Sequence, residues 1–200
     1  MATKRVATSP PPLLAKPRRG WWDERASQIV EFAISLPLLV FFVVGIFDFS
    51  NALTLKQRLT NAAREGARVA ASDPASDLVK PSAASGVPVS IGDAFQVVDN
   101  YLTSEKINDC GLATANTMTA TGLTWTYTAA GNGCPGNGIK LIINRGCVTQ
   151  TTGGTVDLIG TCVTITYPYK WEFNNVASSL GWTGSGPSTM TVLAGALNEN

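Results

Sequence analysis

The feature that most constrains this chain is a long apolar run at residues 29–47, where fifteen of nineteen side chains are apolar and only Glu31, Ser35, Pro37 and Gly45 are not. At ~1.5 Å per helical residue the run covers roughly 28 Å, about one hydrocarbon core. A surface helix needs an apolar stripe, whereas a helix apolar on every face belongs in a protein core or in lipid. A chain of 200 residues has little interior in which to hide such a helix. Pro37 would break a soluble helix but is tolerated as a kink in a membrane one. An ordinary secretory signal has a shorter apolar region, about 7–15 residues, and Phe47-Asp48-Phe49-Ser50 is a poor cleavage site. A transmembrane helix over residues 27–49 is therefore expected. A plain anchor without processing remains the main competitor to a processed one.

Charged residues make up 14% of the chain, and the net charge is +1. This balance offers no electrostatic attraction for nucleic acid. There is no His, so the commonest general base, metal ligand and pH switch are all missing. Asp93, Asp99, Glu105 and Asp109 are spaced like acids on a surface helix rather than like a catalytic pair. Gly131-Asn132-Gly133 and Gly136-Asn137-Gly138 lack the Lys-Ser/Thr of a phosphate loop. No catalytic residue, metal or cofactor is expected.

Four cysteines, Cys110, Cys134, Cys147 and Cys162, all lie in the C-terminal half. An even number confined to one region suggests two disulfides and an oxidising compartment. A zinc site would lack both a C-x-x-C pair and His. Four buried, reduced thiols are the plainer alternative. Three connectivities exist, and short-loop closure favours Cys110 with Cys134 and Cys147 with Cys162.

Residues 1–26 read as a basic, Pro-rich leader that cannot bury enough apolar surface to fold alone. Trp21-Trp22 fits either an interfacial aromatic anchor or part of that leader. Lys and Arg flank both sides of the span, so the positive-inside count is nearly balanced. Residues 50–73 continue the helix into water. Leu55, Leu59, Ala62, Ala63, Gly66, Val69 and Ala70 recur at steps of three and four, and charged residues fill the other faces. The stripe is made mostly of small residues, so another element can pack close to Ala62, Ala63, Gly66 and Ala70. Glu65 and Arg68 can pair. Ser72-Asp73-Pro74 ends the helix.

Residues 74–200 are expected to form an exported α+β domain. A linker over residues 74–88 precedes a helix at 94–104, with Asp93 as N-cap and Gln96 completing a capping box. Strands are expected at 118–127, 139–144, 156–169 and 189–196. A turn-rich loop is expected at 129–138 and a hairpin turn at 150–154. Trp125, Tyr127, Tyr167, Tyr169 and Trp171 alternate as sheet-face packing would, more than as a carbohydrate platform. The expected fold class is α+β, in an order that resembles a pilin-like plan: a long transmembrane helix continuing into a membrane-proximal helix, then a short helix and a small antiparallel sheet able to pack on the long helix.

Glu31 stands just inside the apolar run. A buried acid costs roughly 2.5–3.5 kcal/mol at a bilayer centre and less near an end. It is either an interfacial acid or one half of a charge pair. The stretches Arg25-Ala26-Ser27-Gln28-Ile29-Val30-Glu31-Phe32-Ala33, Leu36-Pro37-Leu38-Leu39, Gly45-Ile46-Phe47-Asp48-Phe49 and Asn61-Ala62-Ala63-Arg64-Glu65-Gly66-Ala67-Arg68 together resemble TadE-like proteins and Flp-type prepilins. The resemblance covers about residues 20–71. Ala26 departs from the Gly usual before the cut, and Phe32 from the Tyr common in Flp pilins. The resemblance implies a minor pilin-like (pseudopilin) component of the tight-adherence system, at the bacterial inner membrane, with its C-terminal domain outside. It implies processing by a prepilin peptidase between Ala26 and Ser27, which would make Glu31 the fifth residue, one turn from a new α-amino group. Its expected partners are membrane lipid, other pilin-like subunits and pilus assembly proteins. The alternatives are a single-pass extracytoplasmic binding module without a pilus role and a pseudopilin of another secretion system.

Overall fold

The computed structural model describes residues 21–74, 76, 78, 86–134, 136–150, 157–179, 181 and 188–198. Most of the basic leader lies outside these residues, as do much of the linker and, of the turn expected at 150–154, all but Gln150, which ends a strand. Helix α1 runs from Trp21 to Ser72 with Pro37 inside it. The chain divides into two units, Met1–Val40 and Phe41–Asn200.

In the first unit, every described side chain from Ser27 to Val40 is exposed. Ile34 is 72% exposed and Phe32 64%. Among the described residues, Ser27–Ser72 is the one helix long and apolar enough to cross a membrane, and none of its most apolar window is buried. That disposes of a core-helix reading, because a core helix hides its apolar faces within the protein.

In the second unit the remainder of α1 behaves as an ordinary amphipathic helix. Ala52, Leu59, Ala62, Ala63, Ala67 and Ala70 are buried, on one face at steps of three, four and seven. Helix α2 spans Val89–Ser104 and buries Ser90, Ile91, Ala94, Val98 and Leu102. It starts four residues before the expected Asp93 cap. Its N-cap is Pro88, whose carbonyl accepts from the Ile91 and Gly92 amides. Burying Ile91 draws the first turn into the core, and Asp93 is left exposed inside the helix.

Five strands follow: β1 Thr117–Thr121, β2 Thr124–Ala129, β3 Ile139–Gln150, β4 Asp157–Pro168 and β5 Thr189–Leu197. They form one antiparallel sheet in sequence order. The single strand expected at 118–127 is instead a hairpin, with Thr121 paired to Thr124. Gly122 takes φ +59° at the first position of the two-residue turn, where a Cβ would be strained. The Thr-rich alternation on both sides hides this one-glycine reversal. A short helix, α3 Phe173–Ser179, was not expected.

The inner face of the sheet carries Trp125 and Tyr127 of β2, Leu141 and Ile143 of β3, Val163 and Ile165 of β4, and Val192 of β5. All join α1 and α2 in one core. Phe95 of α2 stacks on Tyr127 with ring centroids 4.6 Å apart. Disulfides link Cys110 to Cys134 and Cys147 to Cys162, with Cα separations of 5.2 and 5.7 Å, ordinary distances for such bridges. The first joins the segment after α2 to the β2–β3 loop, where Gly131 N–H donates to the Cys110 carbonyl at 2.8 Å. The second ties β3 to β4 beside a bulge between Asn144 and Cys147.

Candidate functional site: the long helix and what the domain packs on it

Residues Ala26, Ser27, Glu31 and Phe32 all fall within α1. Ser27, Glu31 and Phe32 are exposed. Ser27 and Glu31 are four residues apart, so they share one face of the helix a single turn apart. An amine created at residue 27 would therefore stand over that carboxylate.

The small-residue stripe has a different fate. Ala62, Ala63 and Ala70 are fully buried and Gly66 is buried with them. A Cβ on Gly66 would meet Val98 Cγ2 of α2 at 2.6 Å, the Ala94 carbonyl at 3.5 Å and Val163 Cγ2 of β4 at 3.8 Å. The stripe is the seat of the protein's own α2 and sheet, and these four positions are not open to a neighbouring subunit. The flanks and outer face of this stretch stay polar. Arg68 donates to both Glu65 oxygens, at 2.5 and 3.2 Å, and this hydrogen bond lowers the Glu65 carboxyl below its ordinary pKa. Arg58 pairs with Glu105 at 3.3 Å and donates to its backbone carbonyl, bridging α1 to the end of α2. Both pairs are solvent-exposed and contribute about 0–1 kcal/mol.

Two polar nodes escaped the sequence reading. Asp48 is only 4% exposed. The Tyr169 hydroxyl donates to Asp48 Oδ1 at 2.8 Å and to its carbonyl at 3.2 Å, and the Phe173 amide donates to Oδ2 at 3.0 Å. Burial first, and then the Asp48 bond, push the Tyr169 phenol up to about 12, because both favour the neutral hydroxyl as donor. A lone acid at the edge of an apolar run was the available signal. The second node is Arg145, 1% exposed. Its guanidinium donates to the carbonyl of Ala70 and, at 3.0 Å, to that of Asp73. A cation there satisfies orphan carbonyls and meets the negative end of the helix dipole. The β3 bulge aims this side chain inward, and no sequence pattern announces that.

Of the four acids, Asp99 and Asp109 lie near enough to interact, while Asp93 and Glu105 have other surroundings. Asp93 is exposed, Glu105 pairs with Arg58, and Asp109 Oδ1 accepts from the Gly111 amide. Asp99 is raised, mainly by burial and then by the Asp109 charge. Among the described residues no cluster of three acids or cysteines could hold a metal ion. Tyr127, at the core, is pushed up to about 12 by burial.

Residues 26–68 match the family model described as TadE-like protein. The match takes in the apolar span and the membrane-proximal turns of α1, and it ends before α2 and the sheet. No curated protein and no solved structure matches the chain.

Proposed function

We propose that this protein is a single-pass, membrane-anchored, minor pilin-like component that takes part in assembling a tight-adherence (Flp-type) pilus or related secretion machinery. The observation that carries the reading is the TadE-like match at residues 26–68, which coincides with the exposed apolar helix. Twelve large apolar side chains between Ile29 and Phe47 are exposed. At about 1.5–3 kcal/mol each for removal from water, their transfer to lipid is favourable by on the order of 20 kcal/mol. Glu31 opposes this by at most ~3 kcal/mol near the end of the span. Insertion wins by a wide margin.

The two disulfides favour an oxidising compartment for the domain. On this reading the span lies in the bacterial inner membrane with the C-terminal domain outside. A prepilin peptidase cuts between Ala26 and Ser27, and the new amine pairs with Glu31 in its own chain or in a neighbour. Because the Ala62, Ala63, Gly66 and Ala70 face is occupied within the protein, contact with other pilin-like subunits runs through the span. The protein works by binding and positioning, without catalysis, cofactor or nucleic acid. Mass spectrometry of the protein from its native membrane tests this. A mature N-terminus at Ser27 supports processing, and an intact Met1 favours the plain anchored binding module. Glu31→Gln should leave insertion intact and lower assembly; unchanged assembly removes Glu31 from the mechanism.

A further inference from the structure

Asp48 is the first charged side chain after Glu31, so it marks the level at which the apolar span ends. The bonds from Tyr169 and from the Phe173 amide hold residues 169–173 at that level. The Phe173 ring goes further. Its centroid is 4.5 Å from that of Phe41, and a Cβ on Gly45 would come within 3.6 Å of it. Phe41 lies seven residues from Asp48 on the Glu31 side, about 10 Å along the helix axis. Phe173 therefore lies beside a part of α1 that the anchor reading puts in hydrocarbon. Between them is a groove of about 540 Å³, lined by Phe41, Phe42, Gly45, Ile46, Phe49 and Phe173 among others, with no charged residue.

We propose that residues 169–173 form a second membrane contact, an interfacial wedge with Phe173 at its tip, and that lipid acyl chains fill the groove. This rests on the reading of α1 as a membrane anchor. The groove wall is continuous with the outward surface of the span: Phe42, Ile46 and Phe49 are all more than half exposed. A surface already bathed in lipid is filled by lipid at its edge unless something displaces it. The flanking chemistry suits the interface. Tyr169 and Trp171 stand edge to face, 4.9 Å apart, and rings with one polar end favour the headgroup level. Lys170 between them is exposed, where its ammonium can reach lipid phosphates. The wedge fixes the height of the domain above the bilayer, which a single helix alone would leave free.

The test uses the full chain, disulfides formed, in nanodiscs of phosphatidylethanolamine and phosphatidylglycerol. The photoreactive residue benzoylphenylalanine replaces Phe173, and in separate variants Phe42 and Leu193. Leu193 is an exposed β5 residue and serves as the water-facing control. The expected result is lipid adduct at Phe173 in yield comparable to Phe42, with none at Leu193. Adduct at Phe42 but not at Phe173 overturns the wedge and leaves the anchor standing. No adduct at Phe42 overturns the anchor itself. A Phe173 adduct at twice the chain mass means a second copy occupies the groove, and that also overturns the proposal. Should the Phe173 variant fail to form its disulfides, the same probe at the exposed Lys170 decides: lipid adduct supports the wedge and its absence refutes it.

Discussion

Replacing Gly66 by Ala adds one methyl at a close approach between α1 and α2. The new Cβ would lie 2.6 Å from Val98 Cγ2, roughly 1 Å inside the usual 3.5–4.0 Å carbon contact. Val98 is β-branched and sits in a helix, so its side chain holds one strongly preferred rotamer and cannot swing aside. The α2 backbone must retreat instead, at the ~1–3 kcal/mol typical of overpacking. Against this, Ala in a helix interior is better than Gly by about 1 kcal/mol. The balance is a destabilisation of about 0–2 kcal/mol. Val98→Ala alone opens a two-methyl cavity and costs about 1–3 kcal/mol. In the double variant the added methyl occupies the vacated space, so the two changes should couple favourably by about 1–2 kcal/mol. Urea unfolding of the full chain in micelles, disulfides intact and followed by near-ultraviolet circular dichroism, measures all four corners of the cycle. A coupling near zero would refute the contact between the helices.

Three further outcomes follow from the same packing. Arg145→Met should destabilise the domain by about 2–3 kcal/mol, because charge-assisted bonds to the Ala70 and Asp73 carbonyls are lost inside the core, and Arg145→Lys should recover only part of this; equal stability for all three proteins in urea would contradict the cap. Asp99 has a folded pKa above its ordinary value, so the native state holds the extra proton between the two values and stability falls as pH rises through that window; Asp99→Asn should flatten that part of the stability profile. Reducing both disulfides, which close separations of 24 and 15 residues, should lower stability by about 3 kcal/mol each on a chain-entropy account, read as a shift in the urea midpoint on adding reductant.

The parts legible in the sequence were those set by composition and local period. The span followed from apolar length, the stripe from steps of three and four, and the Cys110–Cys134 and Cys147–Cys162 bridges from loop length. The α+β order was also readable, because strands alternate with period two while α1 does not. Tertiary choices were not readable. Ile91 drew α2 back to Pro88, past a plausible cap at Asp93. The 118–127 alternation concealed the reversal at Gly122. Tyr169 and Phe173 lie more than a hundred residues from Asp48, and Arg145 reaches the end of α1 only because β3 bulges. The stripe showed that something packs closely on Gly66 without showing whether that partner was α2 or another subunit.

The most direct test is non-reducing peptide mapping of the protein in membranes washed with alkaline carbonate. The chain should remain in the washed membrane, with the Cys110 peptide linked to that of Cys134 and the Cys147 peptide to that of Cys162. Recovery of the chain in the carbonate supernatant with four free thiols would contradict both the anchor and the side of the membrane on which the domain is placed.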